Sequence, residues 1–395
     1  YTKHTFKFNK EKEEKLKEFV VQLIISKTCN VQQYAKNSIK IRKKLKIFPK
    51  KRELLYAYNV LLKNNVISKN DALKDCLIKK KMKSQSGILS ITVLTSPNPI
   101  VNGKKWKFSC EWNCYYCPNE PAHKGNNYQA QPRSYLYHEP AVRRANQYNF
   151  KAFEQMISRM NTLYMNGHVI DKLEIILEGG TYTEYPIEYL EEFNRDIYYA
   201  ANTYFDKEPK REKLNLKDEV KINRSTKVHI IGICAETRPD AIDRNWILHF
   251  RESGITRLQL GVQTTHNHIL KKINRGHTIE CALNSMEYLK NLCFKLDIHI
   301  MPDLPFSTPE LDKEMFDYTY NILQPDQIKI YPCSVVPWTI IEKWYNNKIW
   351  IPYKPEILKE VMDYGLKTCP DWIRLPRIVR DIPEIYIQAG NSITN

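Results

Sequence analysis

The chain has 395 residues, of which 42% are hydrophobic, and carries a formal net charge of +17. No run approaches the roughly 18 uninterrupted apolar residues of a transmembrane helix, and the first 18 residues are rich in lysine and glutamate, unlike a signal peptide. We therefore expect no membrane span and no secretory leader. Ten cysteines without a secretory signal favour a reducing compartment, and the expected location is the cytoplasm.

The positive charge is concentrated in the first fifth of the sequence. Residues 1–83 contain 23 lysines and arginines and 7 acidic residues, whereas residues 84–395 contain 38 and 37. This asymmetry predicts a polyanion-binding module joined to a nearly neutral body. A solvated, lysine-rich surface without a ligand is the alternative.

Apolar spacing in this first region is helical. One stripe predicts an amphipathic helix, and residues 51–64 and 71–81 predict two more. The stripe consists of Leu16, Phe19, Val20, Leu23 and Ile24. Basic faces on such a bundle bind phosphates with little sequence selectivity. The predicted RNA-binding residues are Arg42, Lys43, Lys44, Lys46, Lys50, Lys51, Arg52, Lys79, Lys80 and Lys81.

From residue 84 onward, short β-branched runs alternate with helical patterns. The predicted strands cover residues 88–94, 173–177, 228–234, 257–262, 296–301 and 327–331. The predicted helices between them cover residues 150–166, 189–204, 241–252, 280–292 and 312–323. Six such units predict an α/β fold, a partial (β/α)6 barrel with a parallel sheet inside its helices. The basic segment 207–227 is expected to be an exposed insertion.

These patterns divide the chain into three predicted parts. Residues 1–83 form a small basic α-helical domain, and residues 84–340 form the partial barrel, with a long loop over residues 95–149. Residues 341–395 are expected to be a helical extension that packs on the barrel.

Three cysteines carry the most specific chemical signal. Cys110, Cys114 and Cys117 form a C-x3-C-x2-C run with Tyr116 just before the last cysteine. Iron–sulfur clusters usually have four cysteine ligands, so three thiolates can hold a 4Fe-4S cluster and leave one iron open. S-adenosylmethionine can bind that iron, and the spacing is typical of radical-SAM enzymes. The alternative is a zinc site with His123 as its fourth ligand.

Further candidates follow the predicted strands, where βα-barrels carry their functional groups. Glycines after the second strand allow close backbone approach to S-adenosylmethionine. Glu236 suits its ribose hydroxyls or amino group, and Arg238 suits its carboxylate. Each signal is weak alone, since glycine pairs are usually turns. The predicted cofactor-binding residues at strand ends are Gly179, Gly180, Thr181, Glu236, Arg238 and Gln263.

Arg275 and His277 follow the fourth predicted strand in the segment Asn-Arg-Gly-His-Thr. Both are candidate catalytic residues, together with Glu236, because they could face an anionic substrate. The alternative is structural, with Thr278 capping the helix that starts near residue 280.

Several segments together resemble the radical-SAM part of the catalytic subunit of Elongator, the tRNA wobble-uridine carboxymethyltransferase. They occur in the family's order between residues 84 and 383. The matching segments are residues 86–88, 115–118, 171–174, 179–181, 236–240, 261–263, 274–278, 301–305 and 380–383.

This resemblance implies a reaction and its partners. A 5′-deoxyadenosyl radical would remove hydrogen from the methyl group of acetyl-CoA, and the carbon radical would add to C5 of the wobble uridine. Thioester hydrolysis would leave a carboxymethyl group. Lys172 matches the family lysine associated with acetyl-CoA, so the resemblance makes it a candidate catalytic and cofactor-binding residue. Implied partners are the tRNA anticodon region, acetyl-CoA, and other Elongator-like subunits or a separate CoA-binding protein.

The chain departs from the family pattern at several positions. Its first two cluster cysteines are closer together, so Cys110 is assigned on chemistry rather than on strict alignment. Asn119 and Glu120 replace a glycine pair, and Glu178 precedes the Gly-Gly-Thr segment. The sequence also ends without the family's acetyltransferase-like domain. Two alternatives therefore stay open: a radical-SAM protein with another carbon donor, and a non-catalytic tRNA-binding module.

Overall fold

The computed structural model describes residues 8–391, so residues 1–7 and 392–395 of the predicted terminal parts lie outside it. The helices are α1 Lys10–Ile25, α2 Val31–Leu45, α3 Lys51–Lys63, α4 Asp71–Leu77, α5 Pro140–Gln147, α6 Ala152–Met165, α7 Ile187–Asn202, α8 Leu216–Asn223, α9 Arg244–Glu252, α10 Asn267–Lys272, α11 Ile279–Asn291, α12 Pro309–Tyr318, α13 Ile340–Asn346 and α14 Pro355–Lys367. The strands are β1 Leu89–Leu94, β2 Ile100–Val101, β3 Lys104–Lys105, β4 Lys172–Glu178, β5 His229–Thr237, β6 Ile255–Gln263, β7 Lys295–Ile300, β8 Gln327–Ile330, β9 Ser334–Val335, β10 Arg374–Arg377 and β11 Ala389–Gly390.

Helices α1–α4 enclose a hydrophobic core of their own. The predicted stripe is the inward face of α1, where Leu16, Phe19, Val20 and Leu23 are fully buried. Asn9 caps this helix by accepting a hydrogen bond from the backbone nitrogen of Lys12 (2.8 Å). The amphipathic pattern therefore predicted this helix and its packing correctly.

The main sheet has seven parallel strands in the order β1-β4-β5-β6-β7-β8-β10. All six predicted strands are present, and the sheet curls into the predicted partial barrel with helices outside. The seventh strand, β10, was missed because its sequence Arg-Leu-Pro-Arg lacks an apolar pattern. Proline is tolerated there because β10 is an edge strand. The C-terminal segment is therefore more than the predicted helical extension, since it also completes the sheet.

Alternation along β4 separates the two faces of the sheet. Leu173, Ile175 and Leu177 are buried in the core that includes α6 and α7. Glu174 and Glu178 have the opposite parity and face the interior of the barrel. Arg257 on β6 pairs with Glu174 at 2.8 Å, near the amino ends of the strands. The interior of the barrel is thus polar, and the Arg257–Glu174 ion pair lies at the end where the strands begin.

β1 is an edge strand, and side chains form hydrogen bonds with its unpaired backbone groups. Gln155 of α6 accepts from the backbone nitrogen of Leu94 (3.0 Å) and donates to its carbonyl oxygen (2.9 Å). Arg144 of α5 donates to the carbonyl oxygen of Thr92 (2.7 Å). These bonds replace the strand pairing that β1 lacks on this side.

Residues 207–227 form the predicted exposed insertion, with one helix that the sequence did not predict. Helix α8 forms within this segment, and the side chain of Glu219 is fully buried. The carboxylate of Glu219 accepts from Arg211 (2.7 and 2.6 Å) and from Asn202 of α7 (2.8 Å). Most of the segment is exposed, as predicted. The ion pair of the buried Glu219 anchors its helix to α7, which a charge-rich sequence does not reveal.

Across the described residues, no helix combines the length and apolarity needed to cross a membrane.

Two buried carboxylates tie the loop after β7 to the C-terminal segment. Asp303 accepts from the backbone nitrogen of Tyr353 (3.1 and 3.0 Å), and its own nitrogen donates to Asp312 (2.7 Å). Tyr353 also donates its hydroxyl to Asp312 (3.0 Å). Burial, reinforced by the negative charge of Asp312, raises the pKa of Asp303 to about 8.

This carboxylate predicts a pH-dependent stability. A folded-state pKa above the unfolded value means that the contribution is fully present below the unfolded pKa, near 4, and is lost as pH rises towards about 8. Asp303→Asn keeps an acceptor for Tyr353 and removes the ionisation. We expect the variant to show a shallower fall in Tm between pH 5 and 8, measured by circular dichroism. The exposed Asp371→Asn is the control, and equal slopes in both variants would contradict the assignment.

Candidate active site

The three cysteines lie above the carboxyl ends of successive strands. Cys110 Sγ is 3.8 Å from Oγ1 of Thr181, just after β4. Cys114 Sγ is 3.8 Å from Arg238, after β5, and 3.5 Å from Arg275, after β6. The structure therefore brings the predicted metal ligands to the edge of the sheet where the predicted cofactor residues lie.

Backbone hydrogen bonds hold the cysteine loop in this position. The nitrogen of Tyr115 donates to the carbonyl of Ile273 (3.0 Å), and the carbonyl of Tyr115 accepts from Ile340 (3.0 Å) and Ile341 (3.1 Å) at the start of α13. A turn closes between Cys114 and Cys117 through a 3.0 Å hydrogen bond. The loop is thus anchored both to the barrel and to the C-terminal segment.

Guanidinium groups compensate the charge of the thiols. Burial disfavours the thiolate of Cys114, but Arg275 and Arg238 outweigh it and lower the pKa of this thiol. Burial raises the pKa of Cys117, although Arg133 donates to its sulfur at 3.4 Å and opposes that shift. Metals bind the thiolate form of cysteine, and an iron–sulfur cluster brings further electron-rich sulfur atoms. Cations beside the cysteine sulfurs are therefore consistent with a bound cluster.

The donor set fits a 4Fe-4S cluster better than zinc. His123, the proposed fourth zinc ligand, uses one ring nitrogen with Glu120 (2.9 Å) and the other to accept from Gly125 (3.1 Å). Its ring also lies against Trp338. Within residues 8–391, no three histidine, cysteine or acidic side chains gather closely enough to hold a single metal ion.

Gly179 and Gly180 adopt positive φ angles of +130° and +110°. A Cβ atom on Gly179 would lie 2.1 Å from Oγ1 of Thr95, and one on Gly180 would lie 2.9 Å from Phe108. The close approach is therefore to the chain itself, where these glycines seat the loop between β1 and the cysteines. Contact of their backbone with S-adenosylmethionine stays a prediction.

Glu236 and Arg238 have different environments at the end of β5. Glu236 accepts from the hydroxyl of Tyr135 (2.7 Å) and faces His299 at 3.6 Å. Arg238 is buried, and its guanidinium forms a two-point ion pair with Asp240 (3.0 and 2.6 Å). In this structure Asp240 is the carboxylate that pairs with Arg238, and a contact of Arg238 with the cofactor carboxylate stays a prediction. Glu236 remains available to a ligand.

Arg275 and His277 are buried beneath the cysteine loop. His277 Nε2 and Arg275 Nε both lie within 3.2 Å of the carbonyl oxygen of Gly261. Burial and the charge of Arg275 lower the pKa of His277 to about 4, so this imidazole is neutral. Thr278 caps α11, as in the structural alternative. In this structure Arg275 contacts Cys114, and contact of both residues with an anionic substrate stays a prediction.

Lys172 does not join this group. It is exposed at the first position of β4, whereas the cysteines lie beyond the last position. A seven-residue strand spans about 20 Å at roughly 3.3 Å per residue. A place for Lys172 in the cysteine site is thus not supported, and its link to acetyl-CoA rests on the resemblance alone.

Seven of the ten predicted RNA-binding residues are exposed. Lys51 is instead structural, since its amine donates to the carbonyl of Cys76 (2.6 Å) and lies over the ring of Tyr34. Lys81 is exposed but pairs with Asp75 (2.6 Å). The remaining exposed lysines form the basic surface of the helical domain.

The basic surface continues onto the barrel, which sequence reasoning missed. Burial and the nearby charges of Arg159, Lys80 and Arg144 together lower the pKa of Lys83. Arg144 and Arg159 belong to α5 and α6, far apart in sequence from Lys83. Only the packing of these helices against β1 brings the charges together.

The polar residues inside the barrel were also missed. They line a cavity under the cysteine loop together with Tyr116, Glu236 and Gln263. Inward parity at the strand ends is the sequence signal that identifies several of them. These residues are Tyr135, Glu139, Glu178, His299, Lys329, Tyr331, Arg377 and Arg380.

Comparisons with known proteins agree with this architecture. The Radical SAM superfamily matches residues 108–315, and the Radical_SAM C-terminal domain matches residues 325–395. The tRNA uridine(34) acetyltransferase of Methanocaldococcus infernus is 35% identical over 321 residues, which cover 81% of this chain and 57% of that protein. Elongator complex protein 3 of Homo sapiens is 31% identical over 314 residues, covering 79% and 55%.

A solved structure of Methanocaldococcus infernus Elp3 with an N-terminal deletion superposes with a TM-score of 0.62. It is 31% identical in sequence, and the match covers 77% of this chain and 59% of that one. The chain spans a little over half the length of the curated relatives that it matches. The resemblance to Elongator catalytic subunits is confirmed, and the chain belongs to the radical SAM superfamily.

Proposed function

We propose that this chain is a radical-SAM enzyme that modifies the wobble uridine of tRNA. The observation that carries the proposal is the placement of Cys110 and Cys114 above the ends of β4, β5 and β6, with Cys117 joined to Cys114 by a turn. The printed names of the relatives, which include tRNA uridine(34) acetyltransferase, support the choice of substrate. The basic helical domain supports RNA as the partner.

A 4Fe-4S cluster with S-adenosylmethionine supplies, when bound, a carbon radical able to remove hydrogen from an unactivated carbon. The chain's own residues would hold and orient the reactants. The three cysteines would ligate the cluster, and Arg275 and Arg238 would offset its negative charge. Glu236 and Gln263 line the cavity beneath the loop and would bind the cofactor or substrate.

The finer proposal is that acetyl-CoA donates the carbon and that the product is carboxymethyluridine at C5. The family resemblance supports this donor. We propose tRNA and acetyl-CoA as substrates, and Elongator-like subunits or a separate CoA-binding protein as partners. A different carbon donor is the second candidate, and a non-catalytic tRNA-binding module is the third.

Nucleoside analysis after anaerobic turnover tests the proposal. The reconstituted chain receives dithionite, S-adenosylmethionine, acetyl-CoA and wobble-uridine tRNA, and the nucleosides are analysed by mass spectrometry. We expect carboxymethyluridine and 5′-deoxyadenosine from the wild type. Cys114→Ala should lose both products because one cluster ligand is missing, whereas Cys293→Ser, an exposed cysteine outside the site, should keep them.

Each other outcome selects among the candidates. Deoxyadenosine without carboxymethyluridine would contradict acetyl-CoA as the donor used by this chain. Neither product, from protein with full iron and sulfide content that still binds tRNA, would favour the binding module.

Electrostatic tRNA binding gives an independent prediction. Lys43 and Lys44 are exposed in the last turn of α2. Replacing both with alanine should weaken tRNA binding and reduce the slope of log K against log salt by about 1.5, at about 0.7–0.9 per lost phosphate contact. Fluorescence anisotropy measures both quantities. The pair Lys348→Ala and Lys359→Ala, exposed lysines of the C-terminal segment, is the control. An equal effect of both pairs would argue against a dedicated basic surface.

A further inference from the structure

The cavity inside the barrel contains a carboxylate that the chain itself does not use. Glu178, the last residue of β4, faces this cavity. Its carboxylate makes neither a hydrogen bond nor an ion pair with any residue that the structure describes. The neighbouring Glu236, by contrast, accepts from Tyr135 and faces His299. Glu178 is therefore an acceptor that remains for a ligand.

Lys329 on β8 supplies a donor to the same cavity. Its amine donates one hydrogen bond to Oε1 of Gln259 (2.6 Å) and retains further N–H groups. The amide nitrogen of Gln259 is buried, and it has no partner among residues 8–391. Because lysine can only donate, this bond also fixes the amide orientation of Gln259. A donor, Lys329, and an acceptor, Glu178, thus face the cavity from different strands.

These two groups suit the hydrogen-bonding edge of uracil. Uracil presents a carbonyl oxygen, the N3–H donor and a second carbonyl oxygen in a row. A carboxylate acceptor and an amine donor can pair with the N3–H and with one carbonyl oxygen of that row. Cytosine presents an acceptor at N3 and a donor at N4, so the same set of protein groups would leave a carboxylate opposite a lone pair.

We propose that Glu178 and Lys329 read the substrate pyrimidine, with Glu178 accepting from N3–H and Lys329 donating to an adjacent carbonyl oxygen. This inference rests on the proposed function and names how that site selects its base. A base must leave its stack to enter such a cavity. Tyr116 and Pro118 of the cysteine loop line the same cavity. A base held by its N3 edge would turn its C5–C6 edge towards that loop.

The electrostatics of Glu178 agree with a ligand that donates. Burial raises the pKa of this carboxyl group, and Glu236 adds to the effect, while Lys329, Arg377 and Arg380 oppose it. A hydrogen bond to the charged form of a carboxylate favours that form. An N–H donor from the ligand would therefore offset part of the cost of keeping Glu178 charged in the cavity.

Equilibrium binding tests the proposal without requiring turnover. The probes are anticodon stem–loop RNAs with uridine, N3-methyluridine or cytidine at the wobble position. We expect wild type to bind the uridine RNA roughly 10- to 100-fold more tightly than the N3-methyl RNA, the range for a buried group left unpaired. Glu178→Ala should bind both RNAs alike. Glu178→Gln should retain most of the preference because its amide oxygen still accepts.

Controls separate base reading from loss of structure. Glu287→Gln, at an exposed position on α11, should keep the wild-type preference. Circular dichroism should show that Glu178→Ala remains folded. The affinities of the wild-type protein for the different RNAs do not depend on any variant. The proposal can therefore be contradicted even if a variant misfolds.

Two results would overturn the inference. Equal binding of uridine and N3-methyluridine RNAs by wild type would mean that N3–H is not read. Discrimination that persists in a folded Glu178→Ala variant would assign the reading to another group. Failure of the proposed function is distinguishable, because binding discrimination without any modified uridine would leave the base reading intact and remove the catalytic assignment.

Discussion

A parallel sheet that curls without closing is the constraint on which the rest of this structure depends. Parallel strands bring all their carboxyl ends to one edge, so the loops after β4, β5 and β6 meet there by necessity. An incomplete barrel also leaves an unpaired edge, and side chains have to satisfy it. Gln155 and Arg144 do so at β1. The helices that cover this edge therefore pack against the sheet and also supply hydrogen bonds to its backbone.

Much of the charge near the cysteines is structural support. Arg238 is paired with Asp240, and Arg275 is fixed by the carbonyl of Gly261, yet both guanidinium groups lie beside Cys114. Buried cations held in this way cannot relax away from the sulfur. They favour the thiolate, which is the form that binds metal. Gly276 has a related role, since a Cβ atom there would lie about 2.1 Å from the ring of Trp112 in the cysteine loop.

The sequence predicted the architecture well because periodicity reports burial. All six long strands were predicted, and the missing strand, β10, is an edge strand with proline and arginine instead of an apolar run. The strand-end segments also lie at the carboxyl edge of the sheet, whereas the roles given to their residues stay predictions. The partners of these residues could not be predicted. Residue type did not reveal that Asp240 would neutralise Arg238, or that His277 would be buried and neutral. Lys172 was assigned by resemblance and lies at the opposite end of its strand from the cysteines.

One departure from the family pattern, Glu178, faces the cavity inside the barrel. Glu178 stands directly before the glycines that seat the loop, and parity turns its side chain into the barrel. A carboxylate at this position is costly unless something donates to it, since burial without a partner penalises charge. The nearest cations, Lys329, Arg377 and Arg380, moderate that cost without forming a direct contact. A cavity that keeps opposite charges separated in this way is organised for a ligand carrying both donors and acceptors, which is the chemistry of a nucleobase edge rather than of a simple anion.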